Sequence, residues 1–306
     1  MKKLKHIWIF SDGIKGHEVQ SLALANGLSN EILLYHCSLR QPWLSFAPRI
    51  LPRFGQNIVW KNNKPDIHNS PDLIITCGRR MAAIGKFYKR KTGSQHLQIL
   101  NPGDNKEKYD ILVCPEHDNI SGDNVITTRG SLHGITDEKL AKYRDNQDHA
   151  NSVVLLLGNP EKRFFTQLNG LKKQIKKSLS KHDLIICGSR RTPKRYFKII
   201  KNTFNDAKLV WLSQEDGENP YLSLLAQGRV FLVTADSINM VSEVCATDKP
   251  VIAIAQNAIS PKHKRFIQSI NERLSQFESL KEQNRPLNEL NRLLEKVVEK
   301  VAEKLD

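Results

Sequence analysis

The chain has 306 residues, about twice a typical domain, so two domains are the first expectation, each large enough to bury its own core. Hydrophobic residues at 39% and charged residues at 26% exclude a disordered or fibrous chain. The 47 Lys and Arg against 32 Asp and Glu leave a net +15, which favours polyanionic partners. No RNA- or DNA-binding motif accompanies that charge and aromatics are only 7%, so nucleic acid is not an expected partner, while an anionic membrane surface, phosphorylated substrates and a merely solvated basic surface stay open.

The opening MKKLKHIWIF is basic and its unbroken apolar run before Ser11 and Asp12 is only four residues, 7–10. A signal peptide needs an apolar stretch of roughly 7–15. No later run approaches the roughly 20 residues needed to span a bilayer. A cytoplasmic protein is expected, at most peripheral on the cytoplasmic face of an inner membrane. The five cysteines, at 37, 77, 114, 187 and 245, form no CxxC pair. Four sit in or beside apolar runs, which reads as buried free thiols and neither a disulfide frame nor a zinc site.

Short apolar runs at 6–10, 31–37, 72–77, 97–100, 109–114 and 124–128 read as strands of a first half. Runs at 153–157, 183–187, 209–212, 230–234 and 251–255 read as strands of a second. Most are continuous, as in parallel strands covered on both faces. Helical stretches such as EVQSLALANGL and RFFTQLNGLKKQIKKSL lie between them, so the pattern is repeated βαβ. The polar segment 136–152 marks the boundary, giving domains 1–148 and 149–306. DLIITCGRRM (72–81) and DLIICGSRRT (183–192) suggest an internal echo, each with Gly and paired Arg after a strand. The tail 287–306 is amphipathic, with Leu287, Leu290, Leu294, Val297, Val301 and Leu305 on one stripe. Such a stripe packs on its own domain, or meets a second copy or a membrane surface.

Four segments carry candidate chemistry. In SDGIKGHEVQ (11–20), Gly13 and Gly16 permit tight turns after the first strand, and the following helix start offers N–H groups to an anion or a hydroxyl. Asp12, His17 and Glu18 then stand at the carboxyl edge of a sheet, where open α/β folds bind ligands. The alternative is that Asp12 caps the helix and the other two are solvated. The spacing is neither GxGxxG nor a P-loop. In YDILVCPEHD (109–118), Glu116, His117 and Asp118 follow a strand end and suit acid–base work or acceptor binding, or a capped loop. No further spaced ligands accompany them, so no metal is expected. In DLIICGSRRTP (183–193), Gly188 and Ser189 turn the chain, Arg190 and Arg191 follow, and Thr192 before Pro193 has the form of a helix N-cap. Two hydroxyls, two guanidiniums and helix N–H groups suit a diphosphate, against the alternative of a basic surface turn. In VFLVTADSINMVSEVC (230–245), Ser237 or Asp236 caps a helix bearing Ser242 and Glu243. A carboxylate there can accept two ribose hydroxyls, although plain capping accounts for the segment as well.

DGIKGHEVQ, PEHD with NVITTRGSLH, SRRTP, and TADSINMVSE with ATDKPV occur together and in order. This set resembles the plant mitochondrial-fission "elongated mitochondria" family and its bacterial relatives, some treated as outer-core lipooligosaccharide glycosyltransferases. The resemblance covers most of residues 6–256. Val19 and Asn159 depart from it, standing where a polar residue and a second Gly are expected. It implies a glycosyltransferase B architecture: an α/β protein of two facing Rossmann-like domains, parallel sheets flanked by helices, acceptor in the first and nucleotide-sugar donor in the second. It implies no cofactor beyond the donor substrate and no metal. Ser189, Arg190, Arg191 and Thr192 become diphosphate contacts, with Gly188 turning the chain among them. Ser237, Ser242 and Glu243 become contacts to the rest of the donor, and His17, Glu18 or Asp12 the base. An anionic glycolipid is the implied acceptor. A non-catalytic adaptor, as in plant fission, is the competing expectation. A sugar-nucleotide epimerase built on a GxGxxG turn and a Tyr-xxx-Lys pair finds no support.

Overall fold

The computed structural model describes residues 4–49, 57–145, 147–282 and 284–303. The chain forms two compact units, Met1–Gly134 with Glu289–Asp306, and Ile135–Asn288.

The first unit runs β1 (Ile7–Ser11), α1 (Lys15–Leu28), β2 (Ile32–Leu39), α2 (Trp43–Phe46), β3 (Ile58–Trp60), β4 (Leu73–Cys77), α3 (Gly78–Thr92), β5 (Gln95–Ile99), β6 (Ile111–Pro115) and β7 (Val125–Thr128). Its sheet order is β3-β2-β1-β4-β5-β6-β7. Every pair is parallel except β2 with β3. Alternation along β1 explains the layering. Ile7 and Ile9 join Leu24 and Leu28 of α1 in one core, while Trp8 and Phe10 join Met81, Ile84 and Tyr88 of α3 on the other face. Each such side chain contributes about 1.5–3 kcal/mol when fully buried.

The second unit runs α4 (Asp137–Ala141), β8 (Ser152–Leu157), α5 (Lys162–Thr166), α6 (Leu168–Ser178), β9 (Asp183–Gly188), α7 (Phe197–Thr203), β10 (Leu209–Trp211), α8 (Tyr221–Gln227), β11 (Val230–Thr234), α9 (Ile238–Cys245), β12 (Val251–Ile254) and α10 (Pro261–Ser269). Its five strands, all parallel, are ordered β10-β9-β8-β11-β12. Val153, Leu155 and Leu157 face α5 to α7, and Val154 and Leu156 face α8 to α10. Both units are doubly wound, reversing direction beside their first strand. The runs expected as strands all form them. The three-residue β3, too short and polar in its flanks to stand out, adds one antiparallel edge.

Three expectations are corrected. The division falls at 134/135, not 148/149, because Ile135 and Leu140 already pack in the second unit's core. The tail leaves that unit again. Helix α11 (Leu290–Ala302) buries Leu293, Val297 and Val301 in the first unit's core. Leu294 fills the space above Gly27, where a Cβ would lie 2.4 Å from its Cδ1. Gln95 Nε2 donates to Val301 O (3.0 Å). Leu287 is not part of this stripe: it packs in the second unit and its N–H donates to Cys245 O. Leu305 lies outside the described residues. Among the described residues, the stripe of α11 is thus turned onto α1 and the sheet, with Leu293, Val297 and Val301 buried and Leu290 and Leu294 half-buried against the same core. Finally, the echo 72–81/183–192 falls on strands that are not equivalent, since β4 matches β11 in sheet order and β9 matches β2. All five cysteines are buried, and burial pushes the thiols of Cys37, Cys187 and Cys245 up to about 12.

Leu293→Ala should cost about 2–5 kcal/mol and should lower the urea midpoint of the first unit, as followed by tryptophan fluorescence of Trp8 and Trp60. A loss confined to the second unit would contradict the assignment of the tail.

Candidate functional site

At the carboxyl edge of the first sheet, the chain leaves β1 at Ser11 and enters α1 at Lys15. Gly13 takes φ +81 in open space, so backbone conformation, not crowding, requires glycine there. The Gly13 N–H donates to Ser11 Oγ (3.1 Å) and the Ile14 N–H to Asp12 Oδ1 (3.1 Å). Asp12 therefore closes a local turn and does not cap α1, whose cap position is Ile14. Among the described residues, the N–H groups of Lys15 and Gly16 meet no acceptor outside their helix, which leaves them as donors for a ligand.

His17 Nδ1 lies 3.6 Å from Asp12 Oδ1. Burial pushes the Asp12 carboxyl up, but His17 and the Ile14 N–H together outweigh that and hold it below the usual carboxylate range. The imidazole rests on Gly78, where a Cβ would come within 2.7 Å of Cε1 and φ is +78. Gly78 opens α3 after β4, so His17 sits where the sheet order reverses, between the exits of β1 and β4. Glu18 is more heavily engaged. Its Oε2 accepts from Ser11 Oγ (3.2 Å) and lies 3.1 Å from His36 Nε2, and its Oε1 pairs with Lys15 Nζ at 3.1 Å. His36 is a member of this cluster that the motifs miss. It arrives through the β1–β2 register, which places Ser11 opposite His36. The sequence signal was partial: Ser11 follows the first apolar run and His36 lies near the end of the second.

Glu116, His117 and Asp118 form a 3-10 turn after β6. Three strand spacings separate β6 from β1, roughly 14 Å. Glu116 is exposed, while His117 is buried with Nε2 3.9 Å from Asp118 Oδ1. This segment shares the edge with His17 but not the cluster. Among the described residues, no group of three or more His, Cys, Asp or Glu could hold a metal ion.

In the second unit, the exits of β8, β9 and β11 converge. Thr192 is buried, and its hydroxyl shares a proton between Leu157 O (2.8 Å) and Gly158 O (3.0 Å) while accepting the Ser189 N–H (2.8 Å). This corrects the expectation of Thr192 as a helix cap and phosphate contact: the hydroxyl staples the β9 turn to β8, and the chain continues into a 3-10 turn, Lys194–Tyr196. Gly188 is likewise structural, since a Cβ would approach Leu212 Cα to 3.1 Å. Ser242 is corrected too. It is buried and its Oγ donates to Ile238 O (2.8 Å), inside its own helix. Ser237, not Asp236, caps α9, accepting the Met240 N–H.

What the turn does present is Ser189, half-buried, and the exposed Arg190 and Arg191. Arg190 forms no ion pair among the described residues. Arg191 Nη2 lies 3.6 Å from Asp236 Oδ2, with its side chain 55% exposed, and so open a pair contributes at most about 1 kcal/mol. Asp236 Oδ2 also accepts the Asn159 N–H (2.7 Å), and its oxygens fill the space above Gly158, which a Cβ there would enter at 2.6 Å. Only the first residue of Gly158-Asn159 is pinched, which is why Asn159 is tolerated. Asp236 borders a hollow of ≈470 Å³ lined also by Arg163, Phe164, Gln167, Ala255 and Asn257, a size that suits a nucleoside or sugar. One to two turns along α9, Glu243 Oε2 accepts from Tyr221 Oη (2.5 Å). Burial raises the Glu243 carboxyl above its usual range, against the opposing effects of Tyr221 and Lys139.

The family model described as mitochondrial fission ELM1 matches residues 15–301. The chain belongs to the mitochondrial fission ELM1 family. It is 27% identical to the Rickettsia prowazekii protein RP120 over 95% of this chain and 97% of that one. It is 28% identical to the Arabidopsis thaliana mitochondrial fission protein ELM1 over 67% of this chain, and the match spans 56% of the plant protein. Among solved structures, Staphylococcus aureus MnaA with UDP gives a TM-score of 0.51 at 12% identity, covering 99% of this chain and 97% of that one. A UDP-N-acetylglucosamine 2-epimerase gives 0.50 at 12%, covering 100% and 98%. The ELM1-family chain therefore has the glycosyltransferase B fold that these sugar-nucleotide enzymes share, and at such identities the likeness is one of fold. A missing GxGxxG turn argues against one kind of epimerase only, since these 2-epimerases share this fold.

A carboxyl raised on folding keeps its proton longer in the folded state than in the unfolded one. Stability from that group is greatest below its unfolded value and falls as pH rises through the folded one. Glu243→Gln keeps an acceptor for Tyr221 and removes the buried charge. It should leave stability unchanged near pH 4 and raise it at pH 7–8, measured by chemical denaturation across that range.

Proposed function

We propose that this ELM1-family protein is a glycosyltransferase that moves a sugar from a nucleotide-sugar to a lipooligosaccharide core or related anionic glycolipid at the cytoplasmic face of the inner membrane. The observation that supports it is the β9 exit: two exposed guanidiniums, neither held in a strong internal pair, beside the Asp236 hollow at the reversal of sheet order. Arg190, Arg191 and Ser189 take the charge of the leaving diphosphate, a task that calls for no cofactor and no metal ion. Glu243 accepts ribose hydroxyls, and Ser237 lies at the helix start that faces phosphate. His17, oriented by Asp12, takes the proton of the acceptor hydroxyl; the pairing of a base with an orienting carboxylate is the general pattern for such a role. Glu18, tied to Ser11, Lys15 and His36, is the weaker base, and Glu116, His117 and Asp118 lie on the acceptor side. No helix among the described residues is long and apolar enough to cross a membrane, and the reading asks only for peripheral attachment.

Titration calorimetry against a panel of nucleotide-sugars should find one that binds. Arg190→Ala and Arg191→Ala should each weaken it by roughly 10- to 100-fold, the equivalent of one charge-assisted hydrogen bond. A panel without a binder, or an unchanged affinity in the double variant, would remove the donor site.

Family membership favours a second reading, a non-catalytic membrane-associated adaptor, because the Arabidopsis member is named for mitochondrial fission. Complementation of a deletion strain separates the two. With sugar transfer as the role, His17→Ala, Arg190→Ala and Glu243→Ala should each fail to complement while the proteins accumulate to normal levels; an adaptor would tolerate all three.

A further inference from the structure

The net charge is not spread over the chain. Between residues 161 and 201 stand thirteen Lys and Arg against two Asp and Glu, a net +11 of the total +15. The other 265 residues carry only +4. That stretch is α5, α6, β9, the Arg190–Arg191 turn and most of α7. The crossovers β8 to β9 and β9 to β10 step in the same direction along the sheet. Right-handed crossovers of that kind put their helices on one face. The side chains agree: Phe165, Leu168, Ile175, Leu179, Ile200 and Phe204 share a single core cluster. With their apolar sides facing inward, α5 to α7 turn their cations outward together.

Some of this charge is balanced. Lys172 and Lys176 both pair with Asp206 at 2.6 Å, and Lys201 pairs with Asp216 at 2.5 Å. Lys173, Lys177 and Lys181 of the α6 stretch, and Lys194, Arg195 and Lys198 of the α7 stretch, are exposed and form no ion pair among the described residues. The surroundings of these cations distinguish lipid from nucleic acid. Single-stranded nucleic acid is held by aromatic platforms, but Tyr196 is stacked on Phe165 with centroids 3.9 Å apart, and no aromatic of the stretch is exposed. The large apolar side chain that is exposed is Ile199, at 42%, set beside Lys198. Cations around an exposed aliphatic group fit an anionic headgroup layer.

We propose that the α5–α7 face of the second unit docks this protein onto an anionic lipid bilayer. The proposal goes beyond sugar transfer and does not require it, because binding to vesicles needs no donor or acceptor. It also replaces the amphipathic tail as the membrane contact, since the apolar stripe of α11 is covered within the first unit.

The test is co-sedimentation of the full chain with vesicles of one part phosphatidylglycerol to two of phosphatidylcholine, at about 0.1 M salt, where charges act over roughly 10 Å. The wild-type protein should sediment with these vesicles, stay in solution with pure phosphatidylcholine, and be released at about 1 M salt. The quadruple variant K173E/K177E/K194E/K198E should lose about a hundredfold or more in partitioning, given the usual contribution per basic residue. A control of the same net charge, K61E/K64E/K91E/K296E in the first unit, should lose much less. Where the face variant melts early by circular dichroism, K173Q/K177Q/K194Q/K198Q replaces it. No sedimentation at low salt would overturn the proposal, as would equal losses in the two sets. Tight binding of a single-stranded RNA probe without vesicle binding would overturn it in favour of nucleic acid.

Discussion

The hydroxyl of Thr192 bonds to the carbonyls of Leu157 and Gly158 and to the N–H of Ser189, so the exits of β8 and β9 move as one piece. A parallel sheet brings strand ends to a common edge but leaves each following loop to find its own path. The buried hydroxyl removes that freedom for the Ser189–Thr192 turn. With the turn fixed, Arg190 and Arg191 are presented at the sheet edge and the Asp236 carboxylate faces Arg191. Losing a buried hydroxyl with three partners costs more than the mean hydrogen bond, because the partners are left unsatisfied as well.

The same economy appears at the first unit's edge. Gly78 lies under His17, and Gly158 lies under Asp236. In each unit a glycine beside the reversal of strand order lets a titratable side chain lie flat on the backbone. A methyl group at either position would push that side chain off the sheet edge. The two units share this device although the residues differ, which follows from their common winding more than from any shared motif.

The strands were legible because parallel sheets covered on both faces demand unbroken apolar runs, and VVLLL or DLIITC can hardly be anything else. Segment positions were legible where they depend on residue type: an Arg pair after β9, a Ser or Asp cap on α9, and Asp12 and His17 together at the end of β1. Segment chemistry was not legible where it depends on direction. Nothing in the letters of Thr192 or Ser242 says that their hydroxyls turn inward. The His36–Glu18 contact needed the β1–β2 register. The stripe on α11 announced that something covers it, but an amphipathic helix does not name its partner, and here the partner is the domain some 160 residues upstream.

That return of the tail makes the second unit an insertion within the first. On the ribosome, residues 135–288 are complete before the chain has supplied the helix that closes the core around Leu24 and Leu28. The later unit in the sequence is then the earlier to fold, and the first unit waits with one face of its sheet open. A nonsense codon between residues 289 and 297 would spare the second unit, already complete, and leave the first unit without the helix that closes its core, which is the reverse of the polarity usually assumed for truncations.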